Sequence, residues 1–398
     1  MLHRYAFSNF QSFREHTEVD LRLNGKTQAV GWERQSPGGT RLGTAMAVVG
    51  PNASGKTALL KPLVFLAWFV KASFQAPADS PLPVVPHFSA VEAPTEMEFE
   101  GEDLEGVLWR YVLRLTPERV LLEALYQQKV KGRYSYVLMR EWNAAEHRYE
   151  VRQQGFGMAP AEARKVRPNA SLVATAAQYG VPLALRFQAL QVQSNVAAGG
   201  RVAFRADSDL PSAAKYFAVE SAAREQMATL LKAWDLGLSG VELRELTRPR
   251  EGQDSERFWL PFGQHTDREG QARTLSFLQE SSGTQSAFVL LARLLPVLNH
   301  GGLAVIDEFE NDLHPHMLEP ILDLFANPQT NPHGAQILFT CHAMEVLNVL
   351  HKSLVMLVEK GPGCESSAWR MDSIKGLRND DNFYAKYMAG AYGAVPQL

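Results

Sequence analysis

The sequence has 398 residues, of which 45% are hydrophobic and 21% are charged, and its formal net charge is −3 at pH 7. These values are ordinary for a globular protein, and they exclude the disordered, fibrous and disulfide-stapled classes. A chain of this length forms one large domain with an insertion, or two domains. The slightly acidic balance argues against a generic nucleic-acid coat protein, which is usually basic.

Cysteine content and apolar stretches bear on the cell compartment. The two cysteines, Cys341 and Cys364, lie in no CxxC or Cys/His cluster, so the sequence predicts no zinc site, and scarce cysteine suits a reducing cytosol. Residues 1–16 mix polar side chains among the apolar ones and lack the apolar core of a signal peptide. The most apolar stretch, residues 59–70, is too short to span a bilayer. We therefore expect a cytoplasmic protein without membrane contact.

The first part of the chain alternates short apolar runs with turn residues. Two runs within residues 1–21 predict two strands, which we expect to form a hairpin. A polar stretch with Gly31 and Gly39 predicts a loop. The apolar residues 45–49 suit a buried strand, which leads into a glycine-rich loop and then an apolar helix. Pro62 lies early in this helix, where it removes a backbone donor and favours a kink.

The middle of the chain changes character twice. From residue 96 to residue 152, apolar residues such as Met97 and Phe99 alternate with polar ones, which predicts a half-buried antiparallel meander. From about residue 161 to residue 235 the pattern is mostly helical, without the sustained heptads of a coiled-coil arm. Strand-like runs return at residues 241–246 and 258–262. The sequence therefore predicts an α/β protein with an antiparallel lobe and a helical insertion.

The glycine-rich loop carries the most specific motif of the chain. The run Gly50-Pro51-Asn52-Ala53-Ser54-Gly55-Lys56-Thr57 matches the Walker A pattern GxxxxGK[ST] in full, between a predicted strand and a predicted helix. Glycines let backbone N–H groups turn inward around phosphate oxygens, and the following helix presents its positive N-terminal end. We expect Asn52 to Thr57 to hold the phosphates of ATP, with Lys56 on the β- and γ-phosphates and the Thr57 hydroxyl on Mg²⁺.

A second motif, Leu303-Ala304-Val305-Ile306-Asp307-Glu308, has the Walker B form of an apolar strand that ends in two acids. A buried strand of this kind delivers Asp307 to the Mg²⁺ beside the Walker A loop, and Glu308 can then act as general base on the attacking water. By itself the pattern is equally common as an ordinary strand followed by a loop.

Two weaker motifs flank the Walker B strand. Ser281-Ser282-Gly283-Thr284-Gln285 resembles the ABC signature LSGGQ, apart from Thr284, and would place Ser282 and Gly283 at a helix N-terminus that can hold a γ-phosphate. The alternative is an ordinary helix cap by Ser281 or Ser282. His342 follows the apolar run 337–341, in the place of the ABC switch histidine, where it could bond the γ-phosphate. A lone histidine after a strand is more often structural.

The four motifs occur in the order found in ABC-type ATPases of the SMC, RecF and OLD group, which the chain resembles. More narrowly, it resembles the RloA-like prokaryotic AAA ATPases. The shared elements are Phe-x-Ser-Phe at residues 10–13, DEFENDLHP at 307–315, Thr-x-His at 340–342 and Tyr-Gly-Ala-x-Pro at 392–396. The resemblance covers most of the chain and is strongest at residues 1–66 and 275–398.

The resemblance implies an ABC-type P-loop NTPase head with a mixed sheet core. Its expected parts are an N-terminal ATPase segment with the Walker A loop, an antiparallel β lobe, a helical insertion, and a C-terminal ATPase segment with the other three motifs. Their boundaries are residues 1–95, 96–160, 161–240 and 241–398.

The resemblance also implies a homodimer with two ATP molecules between the subunits. Ser282 and Gly283 would then act in trans. The residues expected to act in cis are Lys56, Thr57, Asp307, Glu308 and His342. The Q-loop of the family stays unassigned, since Gln75 has an unsuitable Pro/Ala-rich context. Assembly beyond a dimer is left open.

The resemblance finally bears on the biological role. The acids Glu359, Asp372, Asp380 and Asp381 form no clear Toprim set, so we infer no nuclease in this polypeptide. Stand-alone ATPases of this kind resemble the sensor or regulator half of two-component anti-phage systems of the abortive-infection type. The expected partner is then a separate effector, a nuclease or a toxin, and hydrolysis is expected to be slow.

Three other functions compete with this interpretation. A RecF-type clamp would bind DNA, and two small basic groups, Arg164/Lys165/Arg167 and Lys129/Lys131/Arg133, leave DNA binding open although solvated loops explain them better. A nucleotide-binding scaffold would hydrolyse little or nothing. A transporter subunit is disfavoured because residues 90–260 separate the Walker A loop from the signature too widely.

Overall fold

The computed structural model describes most of the chain. The described residues are 1–25, 29–130, 132–250, 253–311, 313–379 and 381–396. Lys131, Asp312 and Asp380, which entered the sequence analysis, lie outside the described residues.

Strands account for much of the described chain. In chain order they are β1 (Leu2–Ser8), β2 (Thr17–Asp20), β3 (Glu33–Gln35), β4 (Arg41–Gly43), β5 (Ala45–Val49), β6 (Thr95–Glu102), β7 (Leu108–Leu115), β8 (Val120–Val130), β9 (Arg133–Asn143), β10 (Arg148–Gln153), β11 (Val192–Ser194), β12 (Val196–Ala197), β13 (Gly200–Arg201), β14 (Gly240–Arg250), β15 (Gln253–Thr266), β16 (Ala272–Ser276), β17 (Leu303–Ile306), β18 (Gln336–Thr340), β19 (Val355–Lys360) and β20 (Ser366–Arg370).

Helices are concentrated after the Walker A loop, in the insertion and around the Walker B strand. They are α1 (Lys56–Ala72), α2 (Pro160–Ala163), α3 (Leu172–Gln178), α4 (Pro182–Gln188), α5 (Ala206–Val219), α6 (Ser221–Ala233), α7 (Ser282–His300), α8 (Leu318–Ala326), α9 (Val346–Val349) and α10 (Phe383–Met388).

A six-stranded sheet in the order β11-β17-β18-β5-β19-β20 forms the centre of the molecule. The five strands from β11 to β19 pair in parallel, and β20 joins the edge antiparallel. Parallel strands read as continuous apolar runs when both faces are covered, and β5, β17 and β18 are buried at every residue. The predicted α/β class with a mixed central sheet is therefore confirmed.

This sheet separates two hydrophobic cores, because successive side chains of a strand point to opposite faces. Along β5, Met46 and Val48 pack with α1 and the large antiparallel sheet. Ala47 and Val49 pack on the other face, against α7, α8 and the helices of the insertion. The loops at the carboxyl ends of the strands thus emerge between two solid layers.

The predicted antiparallel lobe is a seven-stranded sheet in the order β10-β9-β8-β7-β6-β1-β2. The expected early hairpin is present as β1 and β2, but β1 also pairs with β6. Residues before 21 therefore extend the lobe that we expected at residues 96–160. Sequence alternation identifies a strand but not its distant partner, which explains the difference.

The insertion also departs from its expected outline. Residues 161–240 contain α2 to α6, but β11 lies within them and forms the edge of the central sheet beside β17. The last part of the helical pattern predicted for residues 161–235 forms two helices, α5 and α6, which meet at Glu220 with φ −96° and ψ 87°. The four domain boundaries remain a prediction.

A fully buried ion pair joins the antiparallel sheet to the insertion. Arg140 on β9 and Glu123 on β8 are both 0% exposed, with 3.6 Å between Nη1 and Oε2. Glu123 accepts hydrogen bonds from Ser171 Oγ (2.8 Å) and from the backbone N–H of Leu172 (2.8 Å) at the start of α3. Arg140 donates to the carbonyl oxygens of residues 166, 167 and 170.

Helix α1 is the segment relevant to a membrane. Among the described residues, the stretch Lys56–Gln75 alone is long and apolar enough to cross a bilayer, and half of its most apolar window is buried inside the protein. Core helices of other proteins pass the same test, and the buried side of α1 packs between the central and antiparallel sheets. The helix continues through Pro62, so the expected kink does not end it.

Candidate nucleotide-binding site

The Walker A loop connects β5 to α1 and contains residues with positive φ angles. Gly55 has φ +112° and Ala53 has φ +60°. A Cβ added to Gly55 would lie 2.6 Å from Ser366 Oγ, and one added to Gly50 would lie 2.1 Å from the carbonyl oxygen of Val358. Both glycines are therefore required by close approach of neighbouring strands.

Two serines from opposite ends of the sequence support this loop. Ser366 Oγ donates to the carbonyl oxygen of Ser54 (2.6 Å) and contacts Ser12 Oγ at 2.8 Å. The backbone N–H of Ser366 also donates to the carbonyl oxygen of Ser12 (2.7 Å). The Phe-x-Ser-Phe element thus has a local structural role, since its serine lies directly behind the glycine-rich loop.

Lys56 is the first residue of α1 and lies inside the loop. Its ammonium group donates to the carbonyl oxygens of Gly50 (2.8 Å) and Pro51 (2.9 Å). The side chain is buried, and burial lowers its pKa from the usual value, whereas the charge of Asp307 opposes this change. A buried cation with two neutral acceptors is well placed to gain from an anionic ligand.

The end of the Walker B strand meets the start of α1. Thr57 Oγ1 donates to Asp307 Oδ2 (2.9 Å), and Thr340 Oγ1 donates to Asp307 Oδ1 (2.7 Å). Asn195, which follows β11, accepts from the Asp307 backbone N–H (2.7 Å) and donates to its carbonyl oxygen (2.8 Å). The carboxylate is therefore held on both oxygens, and its backbone is fixed by a residue from the insertion.

Glu308 lies beyond Asp307 in a strained conformation with φ +50°. Non-glycine residues in this region are uncommon and concentrate at functional sites. The Glu308 backbone N–H donates to Thr340 Oγ1 (2.7 Å), and the carboxylate forms an ion pair with Arg201 on β13. Thr340 therefore links the two acids of the Walker B motif.

His342 lies at the end of β18, exposed at the same opening. Its backbone N–H donates to the carboxylate of Glu310 in the DEFENDLHP stretch. The ring is thus free to approach a ligand, while its backbone is tied to the loop that follows the Walker B strand.

A cavity of about 310 Å³ joins most of the residues expected from the sequence. The expected residues that line it are Asn52, Ala53, Ser54, Gly55, Lys56, Thr57, Asp307, Glu308 and His342. Gln11, Thr340 and Lys360 also line it, although the sequence analysis gave them no role. The site thus contains two lysines, two carboxylates, three hydroxyl groups and the N-terminus of α1 in one concave place.

The signature residues do not line this cavity. Ser281 caps α7, with its Oγ accepting from the Thr284 backbone N–H (3.2 Å), as the alternative interpretation of this motif expected. Ser282 is exposed and Gly283 half-exposed in the first turn of the same helix. Both interpretations are compatible with this geometry, because the cap turns the two residues towards solvent.

Asn195 and Arg201 are contacts of the site that the sequence analysis missed. Both belong to the segment that begins with the three-residue strand β11, and both reach Walker B residues more than 100 positions away. No contiguous motif marks them, and only the parallel pairing of β11 with β17 brings them into place.

The fold and the site define an α/β P-loop protein, in which the Walker A loop follows β5 and the Walker B acids follow β17 of one central sheet, with β18 between these two strands. A family model described as "AAA domain, putative AbiEii toxin, Type IV TA system" matches residues 45–146 and 202–348, which is more than half of the chain. The chain belongs to this family.

Solved structures similar to this chain include SMC head domains. The SMC head domain from Thermotoga maritima is 13% identical to this chain, with a TM-score of 0.43. The match covers 93% of this chain and 98% of that domain. The Smc head domain with a coiled coil and joint from Pyrococcus yayanosii is 10% identical, with coverages of 98% and 99% and a TM-score of 0.46. A search of curated protein sequences finds no match.

Proposed function

We propose that the chain binds ATP·Mg²⁺ in this cavity, hydrolyses it slowly, and acts as an ATP-dependent dimer. The observation that carries the proposal is the meeting of Lys56, Thr57, Asp307 and Glu308 at one opening. Backbone N–H groups of the loop and the N-terminus of the 17-residue helix α1 favour the phosphates. Lys56 would exchange its two carbonyl acceptors for phosphate oxygens.

The oxygen atoms at the end of β17 fit a magnesium ion. Thr57 Oγ1 and Asp307 Oδ2 lie 2.9 Å apart beside the phosphate-binding loop, and Mg²⁺ takes oxygen ligands from few protein groups and from substrate phosphates. These two residues would hold the ion, which would neutralise phosphate charge. Asn195 and Thr340 would keep the carboxylate aimed at it.

Hydrolysis would use Glu308 as general base. The oxygen of a water molecule would attack the γ-phosphorus, and the bond from that phosphorus to the β,γ-bridging oxygen would break. The carboxylate would take one proton from the water, and ADP and phosphate would leave. Lys56 would stabilise the charge that develops on the phosphate oxygens, and His342 would bond the γ-phosphate from the rim of the cavity.

We expect Asn195→Ala to raise the Mg²⁺ concentration that the reaction requires. The substitution removes both hydrogen bonds to the Asp307 backbone, and loss of a residue that orients a metal ligand typically costs about 10–100-fold in metal affinity. The measurement is the Mg²⁺ concentration that gives half-maximal ATP hydrolysis. Asn299→Ala is the control, since the Asn299 amide donates to Gln226 Oε1 (2.9 Å) and does not line the cavity. An unchanged Mg²⁺ dependence would contradict the positioning role.

The dimer is supported by the location of Ser282 and Gly283. Both lie at the N-terminus of the 19-residue helix α7, exposed and away from the cavity of their own chain. In a head-to-head dimer these groups would cover the γ-phosphate bound by the other subunit. The same proposal includes three further parts. The protein belongs to the RloA- and OLD-like group, it acts in the cytoplasm, and it regulates a separate nuclease or toxin.

The dimer is tested by substituting the signature. We expect ATP·Mg²⁺ to double the particle mass from 44.2 kDa in the wild type, measured by light scattering, and Ser282→Arg to prevent this by blocking the facing phosphate. Ser221→Arg is the matched control, because Ser221 is also exposed at the first position of a helix, α6. Loss of dimer in both variants, or in neither, would contradict the assignment of α7.

The regulator role is tested by co-purification with the protein encoded beside this one. A stable complex supports it, whereas an ATP-trapped dimer that retains DNA and no protein supports the DNA-clamp alternative. One basic group is already used internally, since Arg167 donates to the carbonyl oxygens of Phe74 (2.6 Å) and Ala76 (2.8 Å), and Lys165 pairs with Glu162. This weakens the case for a DNA stripe at residues 164–167.

A further inference from the structure

We propose that Arg201 restrains the general base, so that ATP hydrolysis stays slow until the β12–β13 hairpin moves. The inference rests on the proposed function in assigning hydrolysis to Glu308, and it adds a regulatory contact to that site. Arg201 is not among the residues that line the cavity. It forms an ion pair with the carboxylate of Glu308.

The geometry makes Arg201 the main determinant of where the carboxylate points. The backbone of Glu308 is fixed by Thr340 Oγ1 at 2.7 Å and by its unusual φ of +50°, so only the side chain is free to turn. Among the described residues, Arg201 supplies the ion pair of that side chain. The pair is partly shielded, with side-chain exposures of 25% for Arg201 and 38% for Glu308.

The contact opposes the chemistry that Glu308 has to perform. A carboxylate oxygen that accepts a guanidinium N–H has one lone pair fewer for the proton of an attacking water. The ion pair also restrains the rotation of the Glu308 side chain. Glu308 can therefore act fully as a base only after the contact is loosened.

Arg201 itself is incompletely satisfied in this arrangement. Its Nε is buried and has no hydrogen-bond partner among the described residues, and a buried donor without a partner destabilises the arrangement that contains it. A second position of the guanidinium, in which Nε donates to an acceptor, would therefore compete with the observed position. The guanidinium is thus suited to exchange between two positions.

The hairpin connects the contact to surfaces that change on assembly. It follows Asn195, which is bonded to Asp307, and β12 and β13 both contact α1. Five residues after Arg201 the chain enters α5, which packs against α7, the helix that begins with Ser282. A second subunit that contacts and displaces the start of α7 would therefore also displace α5, and with it Arg201.

The test compares turnover of ATP by the full chain and three variants at saturating ATP·Mg²⁺. We expect Arg201→Gln to raise kcat about fivefold with KM within about twofold, because only the chemical step is released. Arg201→Lys should retain most of the restraint through its charge. Arg205→Gln should leave turnover unchanged, since Arg205 lies on the same segment and pairs with Asp207 at 70% exposure of both side chains.

A second measurement reads the ion pair without hydrolysis. The measured quantity is the change in thermal midpoint caused by Arg201→Met, by Glu308→Met and by the double variant. Without nucleotide, the changes in the single variants should not add up to the change in the double variant. With a non-hydrolysable ATP analogue and Mg²⁺ they should add up. Unchanged or lower kcat in Arg201→Gln, with normal wild-type turnover, overturns this inference alone. If the wild type and Arg201→Gln both bind ATP but neither hydrolyses it, the inference is overturned together with the proposed hydrolytic function.

Discussion

Glu308→Gln is expected to lower the rate of ATP hydrolysis by about 10²–10⁴-fold, the usual contribution of a general base. The amide keeps the size and hydrogen-bonding capacity of the side chain but cannot take a proton from water. Nucleotide binding should survive, because Lys56, Thr57 and the backbone of the glycine-rich loop are untouched. The variant should therefore accumulate in the ATP-bound dimer.

Single-turnover hydrolysis and ATP affinity, measured on the same preparation, separate these effects. Glu319→Gln is the control, since Glu319 is an exposed acid in the first turn of α8. Loss of the Arg201 contact in Glu308→Gln should change stability little, because partly exposed ion pairs contribute about 0–1 kcal/mol. Turnover within tenfold of the wild type would show that another group accepts the proton.

Glu123→Leu is expected to destabilise the protein by about 3–5 kcal/mol, because it leaves the buried guanidinium of Arg140 without its counter-charge. It also removes the acceptor for Ser171 Oγ and for the N–H of Leu172 at the start of α3. Burial already lowers the pKa of Arg140, and the charge of Glu123 opposes that change. Without Glu123 the cost of the buried cation is uncompensated.

Chemical unfolding and limited proteolysis of the antiparallel sheet measure this effect. The double variant Glu123→Leu/Arg140→Met should recover part of the lost stability, since an apolar pair replaces a buried ion pair at little cost. Glu146→Leu is the control, because its partner Arg148 is 68% exposed and surface pairs contribute about 0–1 kcal/mol. If Glu123→Leu and Glu146→Leu destabilised the protein equally, the buried ion pair would have no special role in stability.

The sequence alone predicts those parts of the site that are contiguous in the chain. The Walker A loop is one run of eight residues whose glycines and lysine impose their own geometry. The alternation at Met97 and Phe99 likewise predicts strands, because one face of that sheet is buried. Both features depend on neighbours in sequence, so no knowledge of the fold is required.

Contacts that depend on strand order were not accessible in this way. Asn195 and Arg201 acquire their partners because β11 joins the edge of the central sheet beside β17. A three-residue strand carries almost no periodic signal, and its choice of partner is decided by the packing of the whole insertion. The extension of the antiparallel sheet by β1 and β2 escaped the sequence analysis for the same reason.

The outward-facing start of α7 has a consequence for how activity responds to dilution. A single subunit presents Ser282 and Gly283 to solvent, while its own cavity lacks them. If each subunit completes the other, the competent unit forms by a second-order encounter, and turnover per subunit rises with concentration until pairing saturates. One inactive copy would then silence its active partner. There would then be a threshold concentration of the protein in the cell. Below it, most subunits would be unpaired and would bind ATP without hydrolysing it.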